Sequence, residues 1–330
     1  MIDYQYSRAS DVADAVRQMT GNPSAKFIAG GTNLVDLMKM DVERPTKLID
    51  VSKLPLDKVE ETAGRGLRIG ALVRNSDLAY HPLLERRYPV LSSALLAGAS
   101  PQLRNMATIG GNLLQRTRCR YFRDVSVPAC NKRTPGSGCA AVRGPARMHA
   151  ILGAGEHCIA LHASDLCVPL VALDTVVDIQ GVDGSRSVPL TRFYVLPGQR
   201  PDIENVLRHG DLITRIRIPL LPVGTRSGYV KVRDRASYEF ALTSAAAALS
   251  IADGTIVRAR LALGGVGTVP WRALEAERLL RGAPATGRTF QAAAQAALGD
   301  PFTVAGTAFK VELAERTIVR ALQTVSGVPS

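Results

Sequence analysis

The segment Ala25–Asp41, AKFIAGGTNLVDLMKMD, sets two adjacent glycines between an apolar run and a stretch with helical periodicity. Lys26–Ala29 is predicted as a strand, and apolar residues spaced three and four apart from Leu34 predict a helix that begins near Thr32 or Asn33. Since glycine has no side chain, the backbone N–H groups of such a bend can bond a phosphate. An ordinary strand-to-helix turn also uses these residues, so both interpretations stay open for this segment alone.

A length of 330 residues exceeds one typical domain and predicts two or three packed units. A content of 46% hydrophobic and 21% charged residues is typical of a globular protein. No apolar run is long enough to span a membrane, and the first residues lack a basic leader and a hydrophobic signal core, which predicts a soluble cytoplasmic protein. The formal charge is +12, but no nucleic-acid-binding motif accompanies it and aromatic residues are only 5%. We therefore expect the basic surface to meet an acidic partner protein.

Three units are predicted along the chain, at residues 1–57, 58–222 and 223–330. The first is expected to begin with a helix capped by Ser10, ahead of any strand. The last is expected to alternate strands with alanine-rich helices, one of which covers Phe240–Ile251. The other predicted elements of this unit are strands at Tyr229–Val232 and Val257–Leu263 and helices at Thr289–Leu298 and Val311–Leu322.

A second glycine pair lies in RNMATIGGNLLQ, residues 104–115. Its Thr108, Gly110, Gly111 and Asn112 repeat the residue types of the first bend, with small side chains that permit close approach and polar groups that can bond phosphate oxygens. Two such loops in one chain favour a single diphosphate held between them. The spacing is not the G-x-G-x-x-G of a dinucleotide-binding βαβ unit.

These two loops occur in order with further segments that together resemble one known family. The segments are AGGTNLVDLMK, ATIGGNLLQ, HASDLCVPLVALDTVV, DLITRIRIP, YVKVRDRASYEFALTSAAAAL and LALGGVGTVPWRALEAE. They resemble the FAD-binding subunit of the xanthine dehydrogenase and aldehyde oxidase family of molybdenum hydroxylases, from about Asp3 to Leu322. The resemblance implies an α+β protein, with a vanillyl-alcohol-oxidase-type FAD-binding fold of two subdomains and a C-terminal domain of the carbon monoxide dehydrogenase flavoprotein type.

The resemblance also implies an FAD site, residue by residue. The residues matching the family's diphosphate-binding loops are Lys26, Phe27, Ile28, Ala29, Gly30, Gly31, Thr32, Asn33, Leu34, Ala107, Thr108, Gly110, Gly111 and Asn112. His162, Ser164 and Asp165 would lie near the ribityl or adenosine part. Lys231 would lie beside the flavin ring, where a cation stabilises the reduced flavin; the alternative is that Lys231 belongs to a solvated strand face.

All five cysteines fall between Cys119 and Cys167. An odd count in a protein expected to be cytoplasmic disfavours a disulfide framework, and the C-x-x-C pairs typical of zinc sites are absent. An iron–sulfur cluster bound by four thiolates tolerates wider spacing, and eight basic residues against one acid between Arg116 and Arg147 suit its negative charge. Reduced structural cysteines and zinc remain the alternatives.

The cysteine-rich insertion, at about 116–160, resembles that of the [4Fe-4S]-containing flavin subunits of bacterial three-subunit aldehyde oxidoreductases, and also that of 4-hydroxybenzoyl-CoA reductases. This resemblance implies that Cys119, Cys130, Cys139 and Cys158 are the cluster ligands and that Cys167 is a core residue.

The implied function is electron transfer within a complex. The chain has no C-x₄-C-x₂-C run for [2Fe-2S] centres and is too short for a molybdenum domain. By resemblance, a large molybdopterin subunit oxidises an aldehyde to a carboxylic acid, a small subunit relays electrons through [2Fe-2S] centres, and FAD passes them to an external acceptor. No residue of this chain is expected to be catalytic towards the aldehyde. The alternatives are a flavin subunit of an aromatic acyl-CoA reductase and a redox-sensing scaffold; export folded on a partner's signal would place the complex in the periplasm.

Overall fold

The computed structural model describes residues 1–328 and consists of helices and strands in three successive groups. The strands of this range are β1 Gln5–Arg8, β2 Ala25–Ile28, β3 Lys47–Asp50, β4 Val59–Glu61, β5 Leu67–Gly70, β6 Val176–Gly181, β7 Gly184–Pro189, β8 Leu212–Ile218, β9 Arg226–Val232, β10 Thr243–Ala252, β11 Thr255–Gly264 and β12 Trp271–Arg272. The α-helices are α1 Val12–Thr20, α2 Leu34–Lys39, α3 Asn75–Ala79, α4 Pro82–Arg87, α5 Pro89–Ala97, α6 Pro101–Arg104, α7 Ile109–Leu113, α8 Arg120–Arg123, α9 Cys167–Ala172, α10 Leu274–Leu280, α11 Gly287–Leu298 and α12 Phe309–Ser326. None of these helices is long and apolar enough to cross a membrane.

The first sheet is parallel, in the order β1-β3-β2, and α1 connects its first two strands. The expectation that a helix precedes every strand is wrong, because β1 comes first. The predicted cap is also one residue early: Asp11, not Ser10, caps α1 by accepting a hydrogen bond from the Asp14 N–H at 2.7 Å. The strand and helix predicted around the first glycine pair are confirmed as β2 and α2, so the bend lies at the carboxyl end of a parallel strand.

The second sheet is antiparallel, in the order β4-β5-β8-β6-β7. β5 and β8 are adjacent although the chain between them makes most of the second unit, and Gly70 at the end of β5 pairs with Arg215 near the start of β8. Because the two strands run in opposite directions, the residues that follow β5 and those that precede β8 lie at the same edge of the sheet. This edge faces the first sheet, since Leu72 and Leu212 pack in one core with Ile49 of β3.

The third sheet is antiparallel, in the order β12-β11-β10-β9, with α10, α11 and α12 packed against it. The helix predicted at Phe240–Ile251 is wrong, because this alanine-rich segment forms β10 in the middle of the sheet. Ala245 and Ala247 lie in the core with the C-terminal helices, whereas Ala246 and Ala248 lie in the core of the second unit. Burial of both faces in two different cores outweighs the helical propensity of alanine.

Enlarging a side chain within β10 should destabilise both of these cores. Ala246→Leu and Ala247→Leu are each expected to lower the free energy of unfolding by about 1–3 kcal/mol, because a buried strand flanked on both sides has no room for three extra carbons. Ala252→Leu, at the exposed end of the same strand, should change it by less than about 0.5 kcal/mol. Urea denaturation measures all three, and equal effects at the three positions would contradict a strand buried on both faces.

The cysteine-rich segment, residues 116–160, contains little regular structure apart from α8 and a short 3₁₀ turn at Ala140–Val142. Its end is attached to the loop that follows β11: the Ile151 N–H donates to the Val266 carbonyl at 2.8 Å, and the His162 N–H donates to the Gly267 carbonyl at 3.0 Å. The segment therefore lies against the third unit as well as the second.

Candidate functional site

A cleft of about 620 Å³ lies between the first and second sheets. The predicted residues that line it are Lys26, Phe27, Ile28, Ala29, Gly30, Gly31, Thr32, Asn33, Leu34, Thr108, Gly110 and Gly111. A further wall comes from residues 202–213, which lead into β8 and include Glu204, Arg208 and His209. Sequence reasoning missed this wall, because the segment carries no motif and reaches the cleft only through the pairing of β8 with β5.

The first glycine bend presents unused hydrogen-bond donors at the cleft. Within residues 1–328, none of the backbone N–H groups from Gly30 to Leu34 donates a hydrogen bond. Gly31 has φ +70°, a conformation that favours glycine. The Nδ2 atom of Asn33 is buried without a partner, while its Oδ1 accepts from the Arg116 N–H at 3.1 Å. Buried donors are normally satisfied, so this set indicates an acceptor that the chain itself does not supply.

Gly30 has a different role from Gly31, because it lets the two glycine loops meet. A Cβ atom at Gly30 would lie 1.9 Å from the Met106 carbonyl oxygen and 3.3 Å from the Ala107 Cα. Ala107 itself does not line the cleft in the described chain; its carbonyl accepts a hydrogen bond from the Asn75 N–H. The contact between Gly30 and residues 106–107 therefore sets the width of the cleft at the glycine bends.

The second glycine turn has the predicted residue types, but its donors are already used. The Gly110 N–H donates to the Ala71 carbonyl at 2.8 Å, and the Gly111 N–H donates to Thr108 Oγ1 at 3.3 Å, so Thr108 caps α7. Asn112 lies behind the cleft lining, where its Oδ1 accepts from Ser164 Oγ at 2.5 Å. The two loops are thus not equivalent: the first offers free donors, whereas the donors of Gly110 and Gly111 in the second are used within the protein.

The remaining predicted residues are divided among three environments. Ser164 supports Asn112 from behind, as described. His162 lines a small cavity of about 40 Å³, where its ring makes an edge contact with Tyr194, with centroids 4.5 Å apart, and its buried Nε2 has no partner among residues 1–328. Burial lowers the pKa of His162 to about 4, so the ring is neutral. Asp165 and Lys231 lie outside the cleft lining.

Asp165 and Lys231 form a buried ion pair at the junction of the second and third units. Lys231 Nζ lies 2.8 Å from Asp165 Oδ2 and donates to the Ala97 carbonyl at 3.1 Å, while the Tyr229 hydroxyl donates to Asp165 Oδ1 at 2.7 Å. The Lys231 side chain is only 4% exposed. The alternative of a solvated strand face is therefore wrong for Lys231.

Removing the lysine from this pair should destabilise the protein. Lys231→Met leaves the Asp165 carboxylate buried without a counter-charge, and we expect the free energy of unfolding to fall by about 3–5 kcal/mol. Chemical denaturation checks this, with Lys53→Met as a control, since Lys53 is exposed and the change in net charge is the same. If Lys231→Met instead releases FAD at unchanged stability, the predicted contact with the flavin ring is favoured over a junction between units.

The structure brings the four predicted cysteine ligands together and leaves the fifth apart. The backbones of Cys130 and Cys139 form an isolated antiparallel β-bridge. The thiols of Cys139 and Cys158 are hydrogen-bonded, and Cys119 interacts electrostatically with Cys130 and Cys139. Cys167 Sγ instead lies 3.1 Å from the Tyr194 hydroxyl, within the core of the second unit. In residues 1–328 no three metal-binding side chains converge on a single ion position.

Burial and mutual contact separate the pKa values of these thiols. Burial raises the pKa of Cys119 to about 11. The hydrogen bond from Cys158 lowers the pKa of Cys139 to about 6, and the same bond raises the pKa of Cys158. Sequence reasoning missed His149, whose Nε2 lies 3.1 Å from Cys119 Sγ; a single histidine without metal-site spacing gives no signal.

The basic residues of the segment are mostly committed to protein partners. Arg118 and Arg123 both pair with Asp36 of α2, and Lys132 Nζ lies 2.8 Å from Glu204 Oε1. Arg133 donates to several backbone carbonyls. These four residues fasten the segment to the protein around it, and their charge balance with a cluster stays a prediction.

The cysteine segment and the cleft are neighbours. Arg116 pairs with Glu43 at 2.6 Å and with Glu204 at 2.8 Å, and all three residues line the cleft. The cavity of about 40 Å³ lies between the two sites, since it is lined by Cys158 and also by Glu204. A cofactor in the cleft and a metal at the cysteines would therefore be separated by only a few side chains.

Comparison with known proteins identifies the family. A family model described as the FAD binding domain in molybdopterin dehydrogenase matches residues 2–221, and the carbon monoxide dehydrogenase flavoprotein C-terminal domain matches residues 228–325. The chain belongs to this family. It is therefore an FAD-binding medium subunit of an oxidoreductase of the molybdenum hydroxylase type, and the resemblance and the fold class expected from the sequence are confirmed.

Individual relatives match most of the chain. The chain is 51% identical over 321 residues to the aldehyde oxidoreductase FAD-binding subunit PaoB of Escherichia coli, covering 97% of each chain. It is 28% identical to the glyceraldehyde dehydrogenase medium chain of Sulfolobus acidocaldarius, covering 84% of this chain and 80% of the other. A solved carbon monoxide dehydrogenase from Hydrogenophaga pseudoflava superposes with a TM-score of 0.78 at 26% identity, covering 99% of both chains.

Proposed function

We propose that this chain is the FAD- and [4Fe-4S]-carrying electron-transfer subunit of a molybdenum-dependent aldehyde oxidoreductase that forms carboxylic acids. The observation that carries the proposal is the gathering of four cysteines beside a cleft lined by the glycine bends. The 51% identity to PaoB over almost the full length of both chains supports an aldehyde as the substrate of the complex.

The cleft residues fit the diphosphate of FAD at the first glycine bend. The free N–H groups from Gly30 to Leu34 and the unpartnered Asn33 Nδ2 would donate to the phosphate oxygens. Gly110 and Gly111 on the opposite side leave space that a side chain would fill. A cleft of about 620 Å³ is within the range of cofactor sites. We place the remaining parts of FAD along the cleft wall formed by residues 202–213.

The cysteine segment fits a four-iron cluster better than a single ion. The segment supplies four thiols, which would be the ligands of such a cluster, and a cluster ligand set does not need to converge on one ion position. A metal would supply the positive charge that buried Cys119 needs in order to lose its proton. The ligands we propose are Cys119, Cys130, Cys139 and Cys158.

When bound, FAD accepts electrons singly and releases them in pairs, and the cluster carries one at a time. The residues of the chain keep the two sites together. Lys132, Glu204 and Arg116 form a continuous chain of ion pairs from the cysteine segment to the cleft. Leu114 lines both cavities and, with Tyr194, limits the space open to water between them.

The remaining parts of the proposal concern the assembly. We expect a large molybdopterin-binding subunit and a small subunit with [2Fe-2S] centres to complete a heterotrimer, with an external electron acceptor at the flavin. We assign residues 1–57 and 58–222 to the two FAD-binding subdomains and 223–330 to the C-terminal domain. The compartment is cytoplasmic, or periplasmic where a partner subunit carries an export signal.

The proposal is tested on the complex purified from its native cells. We expect one FAD and a four-iron cluster in this subunit, two further subunits by mass, and reduction of an added dye with aldehydes as electron donors. Aromatic acyl-CoA thioesters with a low-potential reductant test the alternative reductase. An iron-free subunit contradicts the cluster, and activity with the thioesters alone contradicts the aldehyde. A colourless monomer contradicts both and leaves a scaffold role.

A further inference from the structure

Lys310, in the first turn of α12, is fully buried, and burial lowers the pKa of its ammonium group to about 7. Its Nζ donates to the His149 carbonyl at 2.8 Å and to the Gly265 carbonyl at 2.7 Å. No carboxylate among residues 1–328 stabilises its charge, and the charged side chain that acts on it, Arg147, is also basic. Lysine is almost never fully buried without a partner, so this position needs an explanation.

Lys310 is connected to the cysteine group through one intervening residue, His149. The side chain of His149, whose carbonyl Lys310 binds, places Nε2 at 3.1 Å from Cys119 Sγ. His149 is only 3% exposed, and its Nδ1 has no partner in the described residues. Because a thiolate can only accept a hydrogen bond, the ring nitrogen that faces Cys119, Nε2, must carry the N–H if Cys119 is a ligand.

The charges on the two sides of His149 are complementary. Four thiolates around a four-iron cluster would leave the whole site negatively charged. Arg118, Arg123 and Lys132 are already paired with carboxylates, while Arg120, next to Cys119, acts electrostatically on His149. Lys310 adds a basic group from the third unit, through α12, by way of the His149 carbonyl.

We propose that Lys310 and His149 are positioning residues that raise the reduction potential of the cluster. Lys310 supplies the counter-charge, and His149 donates its Nε2–H to the Cys119 thiolate. Reduction adds one electron and no proton, so a buried cation and an N–H donor stabilise the reduced form more than the oxidised form. This inference rests on the proposed function, because it requires the cluster.

The test is a dye-mediated redox titration of the purified complex, followed by the electron paramagnetic resonance signal of the cluster. In Lys310→Met and Lys310→Gln the equilibrium constant for one-electron reduction should fall at least tenfold, a shift of about 59 mV to more negative potential. Lys53→Met, which removes one exposed positive charge, should shift it less than threefold. His149→Leu should shift it in the same direction as the Lys310 variants, and His149→Gln, which keeps a donor, should restore most of the value.

The possible outcomes separate a failure of the proposed function from a failure of this inference. Wild-type complex without iron in this subunit overturns the proposed function and this inference with it. A wild-type cluster whose potential changes less than threefold in the Lys310 variants, at unchanged iron and FAD content, overturns this inference alone. If neither Lys310 variant assembles, the His149 pair decides, because equal potentials in His149→Leu and His149→Gln also overturn it.

Discussion

Gly30→Ala is expected to reduce the FAD content of the purified protein to about a tenth or less. The added Cβ would lie 1.9 Å from the Met106 carbonyl oxygen, a backbone atom that cannot move aside like a flexible side chain. The two glycine loops must then separate, and the free donors from Gly30 to Leu34 lose their position relative to the second loop. A loss of about 1.4 kcal/mol in binding free energy already lowers affinity tenfold.

Flavin absorbance after gel filtration, read against protein concentration, measures this effect. Gly64→Ala is the matched control, because a Cβ there meets no atom within 4 Å, and it should keep full FAD content. Gly111→Val should also lose FAD, because Gly111 lines the cleft and a Cβ there would already lie 3.2 Å from Thr108 Oγ1. Retention of full yellow colour in both Gly30→Ala and Gly111→Val would contradict a diphosphate held between these loops.

Cys139→Ser is expected to abolish the iron content of this subunit while leaving much of its FAD. Serine is a poor ligand for iron–sulfur clusters. The thiol of Cys139 is hydrogen-bonded to Cys158, and its backbone forms a β-bridge with Cys130, so the substitution removes one of the four grouped thiols. The cleft residues do not include Cys139, and the flavin site should therefore survive. Iron assay and the broad visible absorbance of the cluster provide the measurement.

Cys167→Ser is the control for this variant. Its Sγ contacts the Tyr194 hydroxyl at 3.1 Å, a partner that serine can keep, and it lies apart from the other four cysteines. We expect unchanged iron in Cys167→Ser. Unchanged iron in Cys139→Ser would show that the ligand set is wrong, and loss of iron in both variants would indicate that any buried thiol substitution disrupts the segment.

Local chemistry made part of the site predictable from the chain. Two glycines after an apolar run predicted the bend between β2 and α2. The confinement of all five cysteines to one segment predicted a metal site there, and the family resemblance implied Cys119, Cys130, Cys139 and Cys158 as its ligands. These patterns are readable because glycine and cysteine are chosen for backbone freedom and thiol chemistry rather than for general packing.

Packing between distant segments made the rest unpredictable. The alanines of β10 favour a helix locally, and only burial in two cores makes them a strand. Residues 202–213 form a wall of the cleft because β8 pairs with β5. Lys231 looked like a flavin contact or a solvated residue, and its pairing with Asp165 depends on how the second and third units meet.

The amino-acid sequence by itself determined the family and the α+β class, which rest on the order of motifs along the chain. It also determined the two glycine bends and the confinement of the cysteines to one segment, since each of these rests on residues close together in the chain. The tertiary structure alone decided which loop keeps free donors, which charges are already paired, and that Lys310 reaches the cysteine segment from the far unit. The physical reason is that hydrogen-bond satisfaction and charge pairing depend on which atoms meet in space, and residues 161 positions apart meet only in the folded chain.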